Sequence, residues 1–406
     1  MAITMERELS INEVYRASQV LKSIIRHTDL IAAPTIRKDC DIFIKPENLQ
    51  ITGSFKVRGA SYMISQLSDE EKAHGVIACS AGNHAQGVAL AAAKCGIKSI
   101  ICLPAGAPIS KVEATRSYGA EICLVPGVYD DAYNRALQLK DEKGMTFVHP
   151  FDNPLVIAGQ GTIALEILND MPETDCIIVP VGGGGLISGV AFAAKQLNPD
   201  IKVYGVQAEG APSMVQSIEH NAIERLSSVS TIADGIAVKE PGEHTFEYCR
   251  KYVDKIVTVS EDEISAAILH LLEKHKLIAE GAGAVSVAAA MFGKLPIEGK
   301  RTVCLVSGGN IDVTFLSRII NRGLMKSGRQ STMVLELPDK PGQLSEVTRI
   351  IASTGANIMS VLHERTDTVT NVNSCILRVL METRNNEHIA EIRKALQNEG
   401  IRVKEQ

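Results

Sequence analysis

A lysine and a series of glycine-rich turns are the residues of this chain whose types and spacing could carry chemistry. Lys56 lies in the stretch 54–60 and is flanked by Gly53 and Gly59. A lysine at the start of a helix is usually a solvated charge, but in an apolar pocket its pKa falls and the amine becomes a nucleophile suited to a Schiff base. The companions of Lys56 along the chain favour the second interpretation.

The turn after the apolar run 176–181 consists of Gly182, Gly183, Gly184 and Gly185. Backbone of this kind can approach an anion closely, and the helix that opens at Leu186 adds amide donors and a positive dipole end. A tight strand–helix turn is the simpler alternative. Dinucleotide binding is disfavoured because the glycines do not have the spacing G-x-G-x-x-G. Glu209 is close to the position of the acidic residue that would bind the ribose, but the glycine motif that should precede it is absent. The turn therefore predicts a phosphate site.

A second turn, after the apolar run 76–79, could bind a carboxylate. It consists of Ser80, Ala81, Gly82, Asn83 and His84. Hydroxyl, amide and backbone donors at a helix start can hold an anion, although Ser80 or Asn83 could equally be an ordinary N-cap. His84 by itself is typical of a helix residue whose ring is already hydrogen-bonded.

Two further turns contribute a hydroxyl and a carboxylate. Ser307 follows the apolar run 303–306, where its hydroxyl could meet a heterocycle nitrogen or simply form a Ser-Gly turn. Glu280 stands among small residues at a helix start, where capping is the simpler explanation. Together, a reactive amine, a phosphate turn, a carboxylate turn and a hydroxyl for a ring nitrogen are what pyridoxal phosphate needs to act on an amino acid.

Elements that alternate in type must position these turns. Strands are predicted at 41–45, 76–79, 99–103, 121–125, 146–148, 176–181, 203–206, 256–259 and 303–306. Helices are predicted at 11–26, 83–94, 111–118, 130–139, 162–168, 186–196, 261–275 and 283–291. Continuous apolar strands between helices predict an α/β fold whose parallel sheets are covered on both faces and bind ligands beyond the strands' carboxyl ends.

The pattern changes after residues 326–330, which we predict to be a linker. The tail, 331–406, has the β-α-β-β-α-β order of a ferredoxin-like unit, with strands at 332–337, 357–364, 373–383 and 401–404 and helices at 343–354 and 388–398. The predicted organisation is a catalytic domain at 1–325, containing a smaller lobe at roughly 48–150, followed by the linker and a separate domain at 331–406.

Composition narrows the class of protein. The chain has 406 residues, 45% hydrophobic and 22% charged, as is ordinary for a globular protein. A net charge of -5 and only 4% aromatic residues argue against nucleic-acid binding. No signal peptide and no membrane-length apolar run is evident. Nine cysteines without a C-x-x-C pair indicate free thiols in a reducing compartment, so we expect a cytoplasmic protein.

The motifs, taken in order, resemble those of the fold-type II pyridoxal-phosphate enzymes, and among them the threonine dehydratase (threonine ammonia-lyase) family. The matching stretches are 54–60, 80–87, 159–162, 182–186, 280–283 and 307–310. They cover nearly all of residues 1 to about 325. The resemblance implies two lobes built on parallel sheets, as in the tryptophan synthase β fold.

The resemblance also implies roles for the motif residues. Lys56 would hold pyridoxal phosphate as a Schiff base next to Phe55, and Asn83 would bind the 3'-oxygen of the cofactor. The phosphate would lie on the turn 182–185 with Leu186, and Ser307 would meet the pyridine nitrogen. The turn from Ser80 to His84 would hold the substrate carboxylate, and Glu280 would help to place the substrate's amine or hydroxyl.

The activity implied is elimination of water from L-threonine, giving 2-oxobutanoate and ammonia, with L-serine giving pyruvate. Serine racemases share most of the motifs but carry a serine where this chain has Ala81, and an alanine cannot transfer a proton. Their metal carboxylates would fall near Gln207 and Ser213, so no metal is predicted. Cysteine synthases differ at the same turn. A serine dehydratase or racemase and a non-catalytic amino-acid sensor stay as alternatives, and a homodimer or homotetramer is expected.

The tail resembles an ACT domain, a regulatory module that binds amino acids or similar small ligands. The stretches 337–344 and 355–358 carry this resemblance. The implied effector residues are Asp339, Gly342, Gln343, Leu344, Asn357 and Ile358. Feedback-inhibited members of the family serve isoleucine biosynthesis, and isoleucine, valine, AMP and ADP all stay open as effectors.

Overall fold

Two sheets form the framework of the first of the two units into which the chain divides, Met1–Asp312 and Val313–Gln406. A computed structural model describes residues 9–365 and 373–404. Residues 1–8, on which the expectation that no signal peptide is present depends, lie outside the described part. No helix in the described ranges is long and apolar enough to span a membrane.

The first unit contains ten strands and twelve α-helices within its described residues. The strands are β1 (Ile31–Ala32), β2 (Asp41–Pro46), β3 (Val76–Cys79), β4 (Ser99–Pro104), β5 (Glu121–Val125), β6 (Thr146–Phe147), β7 (Cys176–Pro180), β8 (Lys202–Ala208), β9 (Lys255–Val259) and β10 (Arg301–Val306). The helices are α1 (Ile11–Leu21), α2 (Lys56–Ser65), α3 (Asp69–His74), α4 (Asn83–Lys94), α5 (Ile109–Ser117), α6 (Tyr129–Lys143), α7 (Pro154–Asp170), α8 (Gly185–Leu197), α9 (Ser213–His220), α10 (Glu243–Tyr252), α11 (Glu261–His270) and α12 (Gly281–Met291).

The larger sheet has six strands in the order β1-β2-β10-β7-β8-β9. All neighbours are parallel except β1, which pairs with β2 in the antiparallel sense. Strands β10 and β7 are direct neighbours, so the turns that follow Val306 and Pro180 lie at the same edge of the sheet. These are the turns that carry Ser307 and the four glycines.

The smaller sheet has four parallel strands in the order β5-β4-β3-β6, and its strands lie between residues 76 and 147. Successive residues of β3 face opposite sides: Val76 and Ala78 pack with α2 and α4, whereas Ile77 and Cys79 pack with α6. Burial on both sides is why the strand is continuously apolar.

Helices α2 and α7 cross closely because glycines meet at the crossing. A Cβ atom on Gly159 would lie 2.7 Å from the Cα of Gly59, and a Cβ on Gly59 would lie 2.8 Å from the Val156 carbonyl oxygen. Neither contact is possible for a real side chain, which explains why glycine stands at 59 and 159 in two of the motifs.

The alternating α/β organisation predicted from the sequence is confirmed, while several helix boundaries were wrong. Helix α1 ends at Leu21 rather than 26, and α7 spans Pro154–Asp170 rather than 162–168 because Asn153 caps it and Pro154 fits its first turn. Helix α11 ends at His270 and continues as a π-helical turn, Leu271–His275.

The second unit begins with α13 (Val313–Lys326) and then has the predicted β-α-β-β-α-β order. Its further elements are β11 (Gln330–Pro338), α14 (Gln343–Ser353), β12 (Asn357–Glu364), β13 (Ser374–Glu382), α15 (Asn386–Asn398) and β14 (Arg402–Lys404). The strands form one antiparallel sheet in the order β12-β13-β11-β14, and its apolar face packs with α14 and α15.

Candidate active site

One cavity of about 1090 Å³ in the first unit brings together every residue predicted to act in catalysis, cofactor binding or substrate binding. Its lining includes Phe55, Lys56, Ser80, Ala81, Gly82, Asn83, His84, Gly182, Gly183, Gly184, Gly185, Leu186, Glu280 and Ser307. These residues lie in separate segments of the chain, from Phe55 to Ser307, and the fold brings them together.

Lys56 is the first residue of α2, and its half-buried side chain reaches into the cavity. Its Nζ donates to the Pro150 carbonyl oxygen at 2.8 Å and lies 5.3 Å from the centre of the Phe55 ring. The turn before the helix is fixed because the Phe55 amide donates to the Ser307 carbonyl oxygen at 3.1 Å. Burial lowers the pKa of Lys56 to about 8, against the opposing attraction of the Glu280 carboxylate.

A buried ion network holds the first turn of α2 in place. The fully buried Arg58 donates to both carboxylate oxygens of Glu47, at 2.7 and 2.8 Å, and to Glu166 at 2.6 and 2.9 Å. Lys45 joins the network through Glu166 at 2.7 Å. Burial by itself raises the pKa of Glu166, but the hydrogen bond and charge of Arg58 outweigh it and lower the value to about 2. Arg58 therefore pairs with both carboxylates, and Lys45 adds a second partner for Glu166.

The glycine turn presents unpaired amides at the start of α8. Gly184 has φ +98°, a left-handed conformation that favours glycine. A Cβ on Gly183 would lie 2.5 Å from the Phe151 ring, and one on Gly185 would lie 2.7 Å from the Phe151 carbonyl oxygen. The amides of residues 182–186 have no acceptor within the described residues. Free amides at a helix N-terminus are donors for an anion.

Asn83 joins the two sheets of the unit through hydrogen bonds to side chains of the other motifs. Its Nδ2 donates to Glu280 Oε1 at 2.6 Å, and its Oδ1 accepts from Asn310 Nδ2 at 2.7 Å. Burial, reinforced by the nearby Asp234 carboxylate, raises the pKa of Glu280 to about 7. Glu280 immediately precedes α12 but makes no side-chain capping bond, so the capping explanation for this residue was wrong.

The turn from Ser80 to His84 is ordered by its own polar groups. Ser80 Oγ accepts from the Gly82 amide at 3.1 Å, and neither Ser80 nor Asn83 caps α4, whose N-cap is Gly82. His84 Nε2 donates to the Val148 carbonyl oxygen at 2.8 Å. Burial and the nearby Lys56 lower the pKa of His84 to about 3, so its imidazole is neutral. The hydrogen bond to Val148 agrees with the expectation that the His84 ring is already hydrogen-bonded.

Ser307 is buried at the end of β10 and lines the cavity. Its hydroxyl donates to the Ala282 carbonyl oxygen at 3.3 Å, a long bond that leaves its lone pairs available to the cavity. The adjoining Gly308 pairs with Ser54 in an isolated antiparallel bridge. This bridge connects the Ser307 turn directly to the Lys56 segment.

Sequence reasoning missed two polar residues at the site. His149 lines the cavity, and its Nδ1 accepts from the amides of Phe151 and Asp152 at 3.3 and 2.8 Å, so Nε2 carries the proton. Burial lowers its pKa to about 4. The second missed residue is Asn310, at the end of the motif 307–310, which donates to Asn83. A polar residue directly after the strand predicted at 146–148 was the available signal for His149.

The residues predicted to bind an effector lie in the second unit, in two places along its chain. Asp339 follows β11, and Gly342, Gln343 and Leu344 form the start of α14, with Gly342 at φ +95°. Asn357 and Ile358 begin β12, where Asn357 Nδ2 donates to Glu382 Oε2 at 2.9 Å. Their role in binding an effector stays a prediction.

Comparison with known proteins identifies the class to which this fold and site belong. Residues 21–308 match the family model described as pyridoxal-phosphate dependent enzyme, and residues 331–398 match the ACT domain. The chain therefore belongs to the pyridoxal-phosphate-dependent enzymes of fold type II and carries a C-terminal ACT domain.

Individual relatives lie in the branch that the motifs resemble. The chain is 47% identical to an L-threonine ammonia-lyase of Thermotoga maritima over 98% of this chain and 99% of that protein. Among solved structures, maize serine racemase superposes with a TM-score of 0.74 at 36% identity, covering 78% of this chain and 98% of the other. Threonine deaminase isoform 2 of Solanum lycopersicum gives 0.72 at 36%, covering 79% and 93%. The resemblance to the threonine dehydratase family is confirmed.

The residues of the cavity fit pyridoxal phosphate, which is the cofactor of this family. The free amides of residues 182–186 suit a phosphate, because each is a donor without a competing acceptor. Lys56 provides an amine of lowered pKa in the same cavity, and Ser307 provides a neutral hydroxyl. The chemistry of this donor set therefore agrees with the cofactor at its phosphate, aldehyde and ring-nitrogen positions.

Proposed function

We propose that the protein deaminates L-threonine to 2-oxobutanoate and ammonia, and L-serine to pyruvate and ammonia, by α,β-elimination of water followed by hydrolysis of the released enamine. The observation that carries the proposal is a single cavity in which a lysine with a pKa of about 8 and a turn of unpaired amides occur together. The relative from Thermotoga maritima, similar over nearly the whole chain, supports the choice of reaction.

Each residue has a defined task in this reaction. The amides of residues 182–186 would hold the cofactor phosphate, and Ser307 would meet the ring nitrogen. When bound, pyridoxal phosphate supplies an electron sink for negative charge at the substrate Cα. Lys56 Nζ takes the Cα proton, because a pKa of about 8 leaves part of the amine unprotonated near neutral pH. The turn from Ser80 to His84 binds the substrate carboxylate.

The two histidines near Lys56 are uncharged at neutral pH. The imidazoles of His84 and His149 both have lowered pKa values, so neither adds a positive charge beside Lys56 near neutral pH. Glu280, with a pKa of about 7, exchanges a proton in the same pH range and positions Asn83 by a direct hydrogen bond. We assign Glu280 to placing the substrate's amine or hydroxyl.

Racemisation is an alternative reaction, because the fold is similar to that of maize serine racemase. Racemisation needs a second proton-transfer group on the face of the cofactor opposite the lysine. The position that the resemblance assigns to this group is Ala81, whose methyl group carries no exchangeable proton. We therefore assign elimination as the main reaction.

The test is steady-state kinetics of the cofactor-loaded protein with each substrate. We expect 2-oxobutanoate and ammonia from L-threonine, pyruvate from L-serine, and negligible D-serine. Lys56→Ala should lower kcat/KM by at least about 1,000-fold, as expected for loss of the general base. Lys143→Ala, an exposed lysine in the last turn of α6, is the matched control and should retain activity. Full turnover by Lys56→Ala, or D-serine as the main product, would refute the proposal.

We further propose that the ACT domain binds a small effector that regulates this activity, and that the chain works as a homodimer or homotetramer in the cytoplasm. The ACT family match supports the first statement. The nine free cysteines, six of them buried, agree with a reducing compartment. Kinetics with and without isoleucine, valine, AMP and ADP would identify the effector, and sedimentation would give the oligomeric state.

A further inference from the structure

The second unit brings three side chains of metal-binding type to one end of its sheet. They are Asp339, His363 and Cys375, and one ligand atom from each lies within 4.8 Å of the other two. Asp339 and His363 are exposed, whereas the Cys375 side chain is buried in the core between sheet and helices. None of the three residues lines the catalytic cavity. Asp339 is also predicted to bind the effector, but no metal-binding role has been assigned to the group.

Strand pairing explains why these three residues meet. Cys375, the second residue of β13, pairs with Leu337 of β11, so Asp339 lies just beyond the end of this ladder. The Asp339 amide donates to the Asn373 carbonyl oxygen at 2.9 Å, which fixes the start of the loop. His363 of β12 pairs with Leu377, two residues after Cys375 and on the same face of β13.

We propose that Asp339, His363 and Cys375 form a Zn²⁺ site with three protein ligands and one open coordination position. A thiolate, an imidazole and a carboxylate are the ligand types that Zn²⁺ uses, whereas Mg²⁺ and Ca²⁺ prefer oxygen ligands alone. Zinc–ligand bonds of about 2.0 to 2.3 Å place tetrahedral ligand atoms roughly 3.3 to 3.8 Å apart. The ligand atoms of the three residues lie within 4.8 Å of one another, which is close to this spacing.

Two features of the surroundings set the conditions for binding. Cys375 binds Zn²⁺ as a thiolate, so its thiol proton is released to the solvent when the metal binds. Arg365 Nε lies 3.4 Å from Asp339 Oδ1 and competes for the carboxylate. Zn²⁺ affinity should therefore increase when Arg365 is removed.

The test uses the full chain loaded with cofactor, stripped of metal by a chelator and titrated calorimetrically with ZnCl₂. We expect one equivalent of Zn²⁺ per chain, with release of a proton measurable from the dependence of the heat on buffer. Co²⁺ in place of Zn²⁺ should give the strong visible absorption of a tetrahedral site. Catalytic turnover is not needed for either measurement, so the result is separable from the proposed activity.

Variants decide whether these three residues are the ligands. Cys375→Ser, His363→Gln and Asp339→Asn should each weaken Zn²⁺ binding by at least about 100-fold. Loss of a residue that only supports a metal ligand already costs about 10- to 100-fold, and loss of a ligand itself should cost at least as much. Arg365→Ala should tighten it. Cys95→Ser removes an exposed thiol elsewhere and should leave binding unchanged. Because Asp339 is exposed, Asp339→Asn tests the site even if Cys375→Ser fails to fold. Absence of saturable binding, or equal affinity in Asp339→Asn and the parent protein, would overturn the proposal.

Discussion

Asn83 and Glu280 form a short side-chain hydrogen bond, 2.6 Å from Nδ2 to Oε1, between the start of α4 and the residue before α12. The bond connects a helix of the four-stranded sheet to a helix of the six-stranded sheet. Because the Asn83 Oδ1 also accepts from Asn310, the amide orientation is fixed from both ends. Glu280 is therefore a positioning group for Asn83 as well as an ionisable group of the cavity.

Replacing Glu280 by glutamine should change the pH dependence of stability. Burial raises the pKa of Glu280 from 4.5 to about 7 in the folded protein. The folded state therefore holds this proton more tightly, and the contribution to stability present below pH 4.5 is lost as pH rises through 7. Glutamine does not ionise, so the Glu280→Gln protein does not lose this stability as pH rises. The Tm of the cofactor-free variant minus the Tm of the parent should therefore increase between pH 4.5 and pH 8.

The matched control for that experiment is Glu113→Gln. Glu113 lies on an exposed helix surface, where its side chain is 56% accessible and pairs with Arg116. This variant should show nearly the same small Tm difference at both pH values. A Glu280→Gln effect of equal size at pH 4.5 and pH 8 would contradict the assigned ionisation.

A methyl group in the glycine turn should disturb the phosphate site. The Cβ of Gly183→Ala would lie 2.5 Å from the Phe151 ring, so either the ring or the turn must move. We expect cofactor affinity to fall by about 10-fold or more, which corresponds to about 1.4 kcal/mol. Fluorescence titration of the cofactor-free protein with pyridoxal phosphate measures this. Gly106→Ala, where no atom lies within 4 Å of the added Cβ, should bind normally.

Removing Arg58 should destabilise the first unit strongly. Arg58→Ala leaves the Glu47 and Glu166 carboxylates with reduced pairing in a buried site, and loss of one partner of a buried ion pair costs about 3–5 kcal/mol. Chemical denaturation followed by circular dichroism gives this change in the free energy of unfolding. Arg116→Ala breaks an exposed ion pair and should change it by less than about 1 kcal/mol. A similar decrease in the free energy of unfolding in both variants would contradict the stabilising role assigned to the buried network.

Deletion of residues 331–406 should separate regulation from catalysis. All residues assigned to the catalytic cavity precede residue 313, and the family match to the catalytic domain ends at 308. We therefore expect basal turnover of L-threonine to be retained and the response to effectors to disappear. A truncated enzyme that still responds to an effector would place the sensor elsewhere. A second truncation after Asp312 would show whether α13 is needed for activity.

The sequence predicted the parts of the site that depend on local signals. Glycine-rich turns after apolar strands can be recognised from the sequence alone, and Asn83 and Ser307 belong to such turns, while Lys56 lies between Gly53 and Gly59. Partners far apart in the chain leave no such signal: Arg58 meets Glu166 at a separation of 108 residues. The same reason explains why His149 was missed, since its role depends on the folding of its own loop around the ring.

Boundaries were less predictable than element types because local and tertiary effects compete there. The helix predicted at 261–275 has the expected apolar spacing, yet its last turn is a π-helix. His270 and His275 both bond Thr35 Oγ1 at 3.1 Å, and this distant contact accompanies the change. The domain limits predicted at 325 and 331 likewise stay predictions, while the contacts divide the chain after Asp312.

The exposed thiol at the end of α4 offers a means of watching the enzyme at work. All nine cysteines are described, and Cys95 alone among them is exposed. Because α4 begins at Asn83 in the cavity, a maleimide dye on Cys95 reports from the far end of a helix whose start is predicted to contact substrate. With the half-buried Cys40 and Cys123 replaced, labelling of Cys95 could therefore follow ligand-driven movement of this helix without engineering a new attachment point.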